Sequence, residues 1–236
     1  MKKILFTILP ITAVLLFSCT KETRPGPQAQ VKFINASVNT ASAEVTFDGA
    51  LLVAATGFPT ASNYAFVNVG TPTIKIQATA TTGTTVLITN TTGISSFQSN
   101  INYTIIATDS VSKLKVSVVT DDLITPAAGK SSIRFFHLAG NAPYLSVDTA
   151  TTTAGATLFS SRIFNDQSTN SSASSFISVN AGTYTFTARN AVTNAVVFTK
   201  SIVLASGRIY TIAATGAVDG AAGTPAALDF TVLTNN

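Results

Sequence analysis

The chain has 236 residues, with 14 basic and 10 acidic side chains, one histidine, one cysteine and no tryptophan. Charged residues make up only 10% of it and lie scattered, so no row of cations can neutralise a row of phosphates, and nucleic acid is excluded as a partner. The single cysteine excludes an intrachain disulfide. The 38 threonines, many alternating with Val, Ile or Phe, give a β composition.

The first element is an export signal. Lys2 and Lys3 precede an apolar run from Ile4 to Phe17, shorter than the roughly 20 residues of a membrane-spanning helix, so residues 1–18 are expected to be a removable signal peptide. The run ends in Leu16-Phe17-Ser18-Cys19, which resembles the lipobox of bacterial lipoproteins. The resemblance implies that the Cys19 thiol takes a diacylglycerol, that cleavage follows Ser18, and that the new amine is acylated. Several acyl chains, at about 0.8 kcal/mol per buried methylene, hold a protein on a membrane where one chain is marginal. The membrane, through the lipid on Cys19, is therefore the first expected partner. Lys21-Glu22 is similar to the surface-export signals of Bacteroidetes lipoproteins, and the expected location is the outer membrane, on its periplasmic or cell-surface face. Residues 19–28, with Pro25, Gly26 and Pro27, read as a lipidated N-terminus and a polar, stiff tether. The 218 residues that remain after position 18 suit two domains of ordinary size.

Beyond the tether the chain repeats itself in order. Val31-Lys32-Phe33-Ile34-Asn35 matches Ile133-Arg134-Phe135-Phe136-His137; Val45 to Asp48 matches Leu145 to Asp148; Phe66 to Ala78 matches Phe176 to Ala188. Asn102 to Thr108 matches Ile209 to Thr215, and Val116 to Asp121 matches Phe230 to Asn235. This predicts one domain over 29–124 and a second over 131–236, joined by Thr125 to Lys130 as a short hinge. Apolar residues alternate at period two, as in Ile74/Ile76/Ala78 and Tyr184/Phe186/Ala188, the mark of strands with one buried face. Turn signals such as Asp48-Gly49, Thr82-Gly83 and Ser206-Gly207 separate them. The expected fold is all-β: two tandem antiparallel immunoglobulin-like β-sandwich domains, with a small closed barrel as the alternative.

The second copy carries further matching features: Arg134-x-x-His137, Ala142-Pro143, Val147-Asp148, Ala181 to Thr185, Gly207 to Gly216, and Phe230 to Thr234. In these the chain resembles the bacterial domain-of-unknown-function family 4397, found in secreted and surface-anchored proteins. The first copy departs from the pattern, with Asn35 in place of the histidine and no Ala-Pro before Val45. The resemblance implies an extracellular β-domain and supplies no activity, cofactor or catalytic residue.

Candidate chemistry is sparse. His137 is expected to hydrogen-bond a turn, since the other copy has Asn35 there, and no Gly-x-Ser-x-Gly elbow supplies a nucleophile for it. Asp48 and Asp148 read as equivalent strand-end turn residues rather than a hydrolytic carboxylate pair. Asp121-Asp122 reads as a strand end, with calcium between the domains as its functional alternative. Tyr103 and Tyr210 resemble tyrosine corners, with the ring inside and the hydroxyl on a backbone group. Asp109-Ser110-Val111 and Asp148-Thr149-Ala150 look like an O-glycosylation motif of Bacteroidetes exported proteins. From Asp148 to Val179 the second copy is ten residues longer than the first is from Asp48 to Val69. The added stretch, Asn165, Asp166, Gln167, Ser168, Thr169 and Asn170 followed by Ser171 to Ser175, has little apolar surface. It is expected to be an exposed, mobile candidate binding loop. No catalytic residue, metal ligand or cofactor is assigned. The expected function is a non-enzymatic surface lipoprotein, an adhesion or interaction module or a structural spacer, with a surface protein or a glycan as partner. The alternatives are carbohydrate capture in a glycan-uptake system and a carboxylate-dependent hydrolase.

Overall fold

The structure, a computed structural model, describes residues 26–89, 92–93, 95–151, 153–220 and 227–236. The expected signal peptide, Cys19 and the tether up to residue 25 lie outside the described residues. The chain is all-β and forms two sandwich-like halves. The first half contains β1 (Gln28–Val38), β2 (Thr40–Phe47), β3 (Ala50–Thr56), β4 (Thr60–Ala61), β5 (Ala65–Asn68), β6 (Ile74–Ala80), β7 (Thr85–Ile88), β8 (Thr92–Gly93), β9 (Asn102–Ser110) and β10 (Lys115–Asp121). The second contains β11 (Lys130–His137), β12 (Leu145–Thr151), β13 (Thr153–Arg162), β14 (Ile177–Asn180), β15 (Gly182–Asn190), β16 (Val196–Leu204), β17 (Ile209–Thr215) and β18 (Asp229–Thr234).

Each half pairs its strands in the same order. One sheet runs β4-β1-β9-β10-β8, with β5 also on β1, opposite β3-β2-β6-β7; in the second half β14-β11-β17-β18 lies opposite β13-β12-β15-β16. The first strand lies parallel to the strand before last in both, with Val31 beside Tyr103 and Ile133 beside Tyr210. This order differs from the ABED and CFG division of an immunoglobulin constant-type sandwich. The hairpin between β2 and β3 turns through Asp48 and Gly49, at φ 48° and 83°, the two-residue left-handed turn that Asp-Gly favours. Asp148 is not its counterpart. It lies within β12, paired with Thr187, because β12 continues to Thr151.

Each half has its own core: Val31, Phe33, Val45, Ile76 and Ile105 in the first, and Ile133, Phe135, Val147, Phe186 and Phe230 in the second. A third cluster joins the halves. Ile34, Ala36, Ile106 and Val119 pack against Phe136, Leu138 and Ala213, with Leu233 partly buried beside them. These are matching positions of the two repeats, so related faces meet. β1, β9 and β10 pack on β11, β17 and β18, making four sheet layers. That explains why β17 is buried at every position while β6 alternates buried and exposed residues. Apolar packing thus holds the halves together on either side of the short link from Thr125 to Lys130, and full burial of an Ile or Phe side chain is worth about 1.5–3 kcal/mol.

Candidate functional site

The densest polar chemistry lies in the seam between the halves. Arg134 on β11 is completely buried. Its guanidinium contacts Asp121 Oδ1 at 2.7 Å and donates to Thr211 Oγ1 at 2.8 Å and Thr104 Oγ1 at 3.2 Å. It also lies 4.5 Å and 4.4 Å from the ring centroids of Phe136 and Phe176. Asp121 Oδ2 accepts from the Tyr64 and Thr104 hydroxyls, both at 2.5 Å. Asn235 donates to the Tyr64 hydroxyl and accepts from Thr211. Lys32, also buried, donates to the Thr234 carbonyl across the seam.

These groups too take equivalent places in the two halves: by strand register Lys32 corresponds to Arg134, Thr104 to Thr211, Asp121 to Asn235, and Tyr64 to Phe176, the last pairing lying two positions away from the sequence match of Phe66 with Phe176. The second copy has an amide where the first has a carboxylate, so two buried cations share one carboxylate. Arg134 takes it. Burial therefore lowers the Lys32 pKa to about 8, with Asp121 raising it and Arg134 lowering it further. Tyr64 is pushed well above its ordinary value, by burial first and then by Asp121.

Against one side of this seam lies a cavity of about 350 Å³. β10 and the residue beyond it supply Val118, Val119, Thr120 and Asp122; the second half supplies the segment from Gln167 to Phe176. That segment takes in most of the candidate binding loop, and Thr169, Asn170, Ser171, Ser172 and Ser175 in it are exposed. It contains two single 3-10 turns, Asp166–Ser168 and Ser171–Ser174, with Gln167 and Ala173 buried. Arg162 clamps it, with Nε at 2.6 Å from Asp166 Oδ2 and an NH2 bond of 2.8 Å to the Ala173 carbonyl. The Asn170 side chain caps the second turn by accepting from Ser172 N. Its polar groups partly bond one another and Arg162 and partly face solvent.

The remaining candidates separate. His137 is fully buried, and its Nε2 donates to the Pro143 carbonyl at 2.8 Å. Burial lowers its pKa, so it sits neutral. Asn35, its counterpart, donates to the Thr56 carbonyl at 2.7 Å, so both copies tie this position to a backbone carbonyl. The tyrosine corners are present in both halves: the Tyr103 hydroxyl accepts from Gln98 N at 3.0 Å and that of Tyr210 from Ala205 N at 3.1 Å. Asp48 accepts from Thr73 N, and Asp148 pairs with Arg189 at 2.7 Å, so the two aspartates do not meet. Asp121 is engaged by Arg134 and two hydroxyls, while Asp122 is exposed. Thr149, in one O-glycosylation motif, is buried; Ser110, in the other, is part-exposed beside Asp109, whose carboxylate lies 3.6 Å from Lys115. Sequence reasoning passed over Arg134, Lys32 and Tyr64. The signal for Lys32 and Arg134 was a cation inside an apolar strand at the same place in both halves.

Comparison with known proteins gives little beyond a family. No curated protein matches the chain. Among solved structures, a leucine-rich repeat protein from Bacteroides thetaiotaomicron is similar at 13% identity over 78% of this chain and 25% of that one, with a TM-score of 0.20. The chain thus spans a quarter of that protein's length, and the likeness carries no argument about fold. A family described as "Domain of unknown function (DUF4397)" matches residues 29–148, just over half of the chain, taking in the whole first half and β11. On that match, the chain belongs to the DUF4397 family.

Proposed function

We propose that the protein is an exported lipoprotein, held on the outer membrane through Cys19, which works without covalent chemistry as a rigid two-part interaction module. We further infer that residues 131–236 form a second copy of the domain that residues 29–124 form, a reading supported by the shared strand order and register of the two halves. The observation that carries the functional reading is the seam. Its cations, carboxylate and hydroxyls are bonded to one another across the halves, which suits a stiff body presenting its surfaces to a partner. The lone histidine, buried on a backbone carbonyl, is likewise engaged structurally. Eight residues separate Cys19 from Gln28, a reach of at most about 30 Å if fully extended, so the body would stand close to the bilayer.

Growth with a labelled fatty acid tests the anchor. Wild-type protein is expected to incorporate label and Cys19→Ala to lose it. Unlabelled wild-type protein, or a mature chain starting elsewhere than Cys19, refutes the lipoprotein reading. Protease shaving of intact cells then distinguishes the cell-surface face from the periplasmic one.

A further inference from the structure

We propose that the cavity between β10 and the Gln167–Phe176 segment is a binding site for a neutral saccharide, the size of one or two sugar rings. The inference deepens the reading of the protein as an interaction module by naming its site and ligand, and it does not depend on the lipid anchor.

Three observations carry it. First, Gln167 is buried in the cavity wall and held in place there: its Nε2 donates to Asn165 Oδ1 at 2.7 Å. Second, the hydroxyls of Ser168 and Ser174 are taken by backbone carbonyls, whereas those of Thr120, Thr169, Ser171 and Ser175 form no hydrogen bond with the described residues. The Asp122 carboxylate on the same wall has no ion-pair partner among them either. Third, no Lys, Arg or His lines the cavity, and Val118, Val119 and Phe176 give it an apolar side.

Together these features define a ligand. The carboxylate calls for donors, and the free hydroxyls match groups that both donate and accept. The absence of cations from the lining disfavours phosphates and carboxylates. The apolar side suits the C–H face of a pyranose. At about 350 Å³ the cavity stands at the small end of ligand sites, which suits a terminal sugar or a disaccharide rather than a long chain. The duplication isolates the feature: the site is built from the segment that lengthens the second copy.

The test uses the purified chain and four neutral probes, glucose, N-acetylglucosamine, maltose and cellobiose, followed by saturation-transfer NMR and titration calorimetry. At least one probe is expected to bind. Asp122→Ala should weaken it about tenfold, the loss of about one charge-assisted hydrogen bond, and Ser175→Tyr, which fills the cavity from an exposed position, should abolish it. Both variants should keep the wild-type melting temperature. Binding by none of the four, or binding unchanged in folded Ser175→Tyr, overturns the assignment. Loss of saccharide binding with normal Cys19 labelling counts against the cavity alone, and loss of labelling counts against the anchor alone.

Discussion

Replacing Asp121 by Asn is the sharpest test of the seam. The substitution keeps the shape but removes the charge that Arg134 faces at 2.7 Å with no exposed surface on either side chain. Breaking a buried pair by removing one partner costs about 3–5 kcal/mol, because the remaining charge is stranded. Tyr64 and Thr104 would also lose a charged acceptor for their 2.5 Å bonds. For a chain of this size, each kcal/mol moves the melting temperature by about 2–4 °C, so the expected drop is about 6–20 °C. The double variant Asp121→Leu with Arg134→Met should recover most of that loss, since a buried ion pair is often no better than a well-packed apolar pair. Urea unfolding followed by far-UV circular dichroism and tyrosine fluorescence measures all arms of the cycle. A loss below about 1 kcal/mol for Asp121→Asn, or a double variant as unstable as the sum of its singles, would refute the claim that this pair ties the halves together.

Three other outcomes are expected. Lys32 gives up its proton near pH 8 in the folded chain and near 10.5 when free, so the unfolded state binds more protons across that window and stability should rise with pH there; urea midpoints measured between pH 7 and 10 should climb in the wild type and lie flat for Lys32→Met. Deleting Gln167 to Ser174 removes two buried side chains and the Ala173 carbonyl that Arg162 holds; it should cost about 2–4 kcal/mol, and limited proteolysis should not cut first at this segment. Tyr103→Phe and Tyr210→Phe should each cost about 1–2 kcal/mol and by similar amounts, since each hydroxyl accepts an amide five residues upstream; calorimetric melting that shows one costly and the other neutral would contradict their equivalence.

The strands and their turns were legible in the chain because local chemistry sets them. Ile74, Ile76 and Ala78 alternate with polar residues on a strand with one wet face, and Asp48-Gly49 closes a hairpin that needs two left-handed residues. The duplication was legible for the same reason, and so were the two tyrosine corners and the carbonyl-bound His137, whose roles depend on a few neighbouring residues. The Asp48 and Asp148 match failed because similarity of a short run does not fix where a strand ends; the length of β12 does. The polar run after Asn165 read as mobile because its sequence carries no apolar stripe; in the fold the nearby Arg162 pairs with Asp166 and the Ala173 carbonyl, and β10 of the other half lies beside the run. The seam depends wholly on such distant contacts. Lys32, Tyr64, Asp121 and Arg134 are unremarkable singly, and their meaning appears only once two copies of one sheet face each other. The sequence by itself determined the strands, their turns and the in-order matches between the halves, because those rest on local pattern. Tertiary structure alone decided that the halves form one body with a buried charge and a cavity beside it, because burial and pairing arise only when residues of the two halves, such as Asp121 with Arg134 and Lys32 with Thr234, exclude water together.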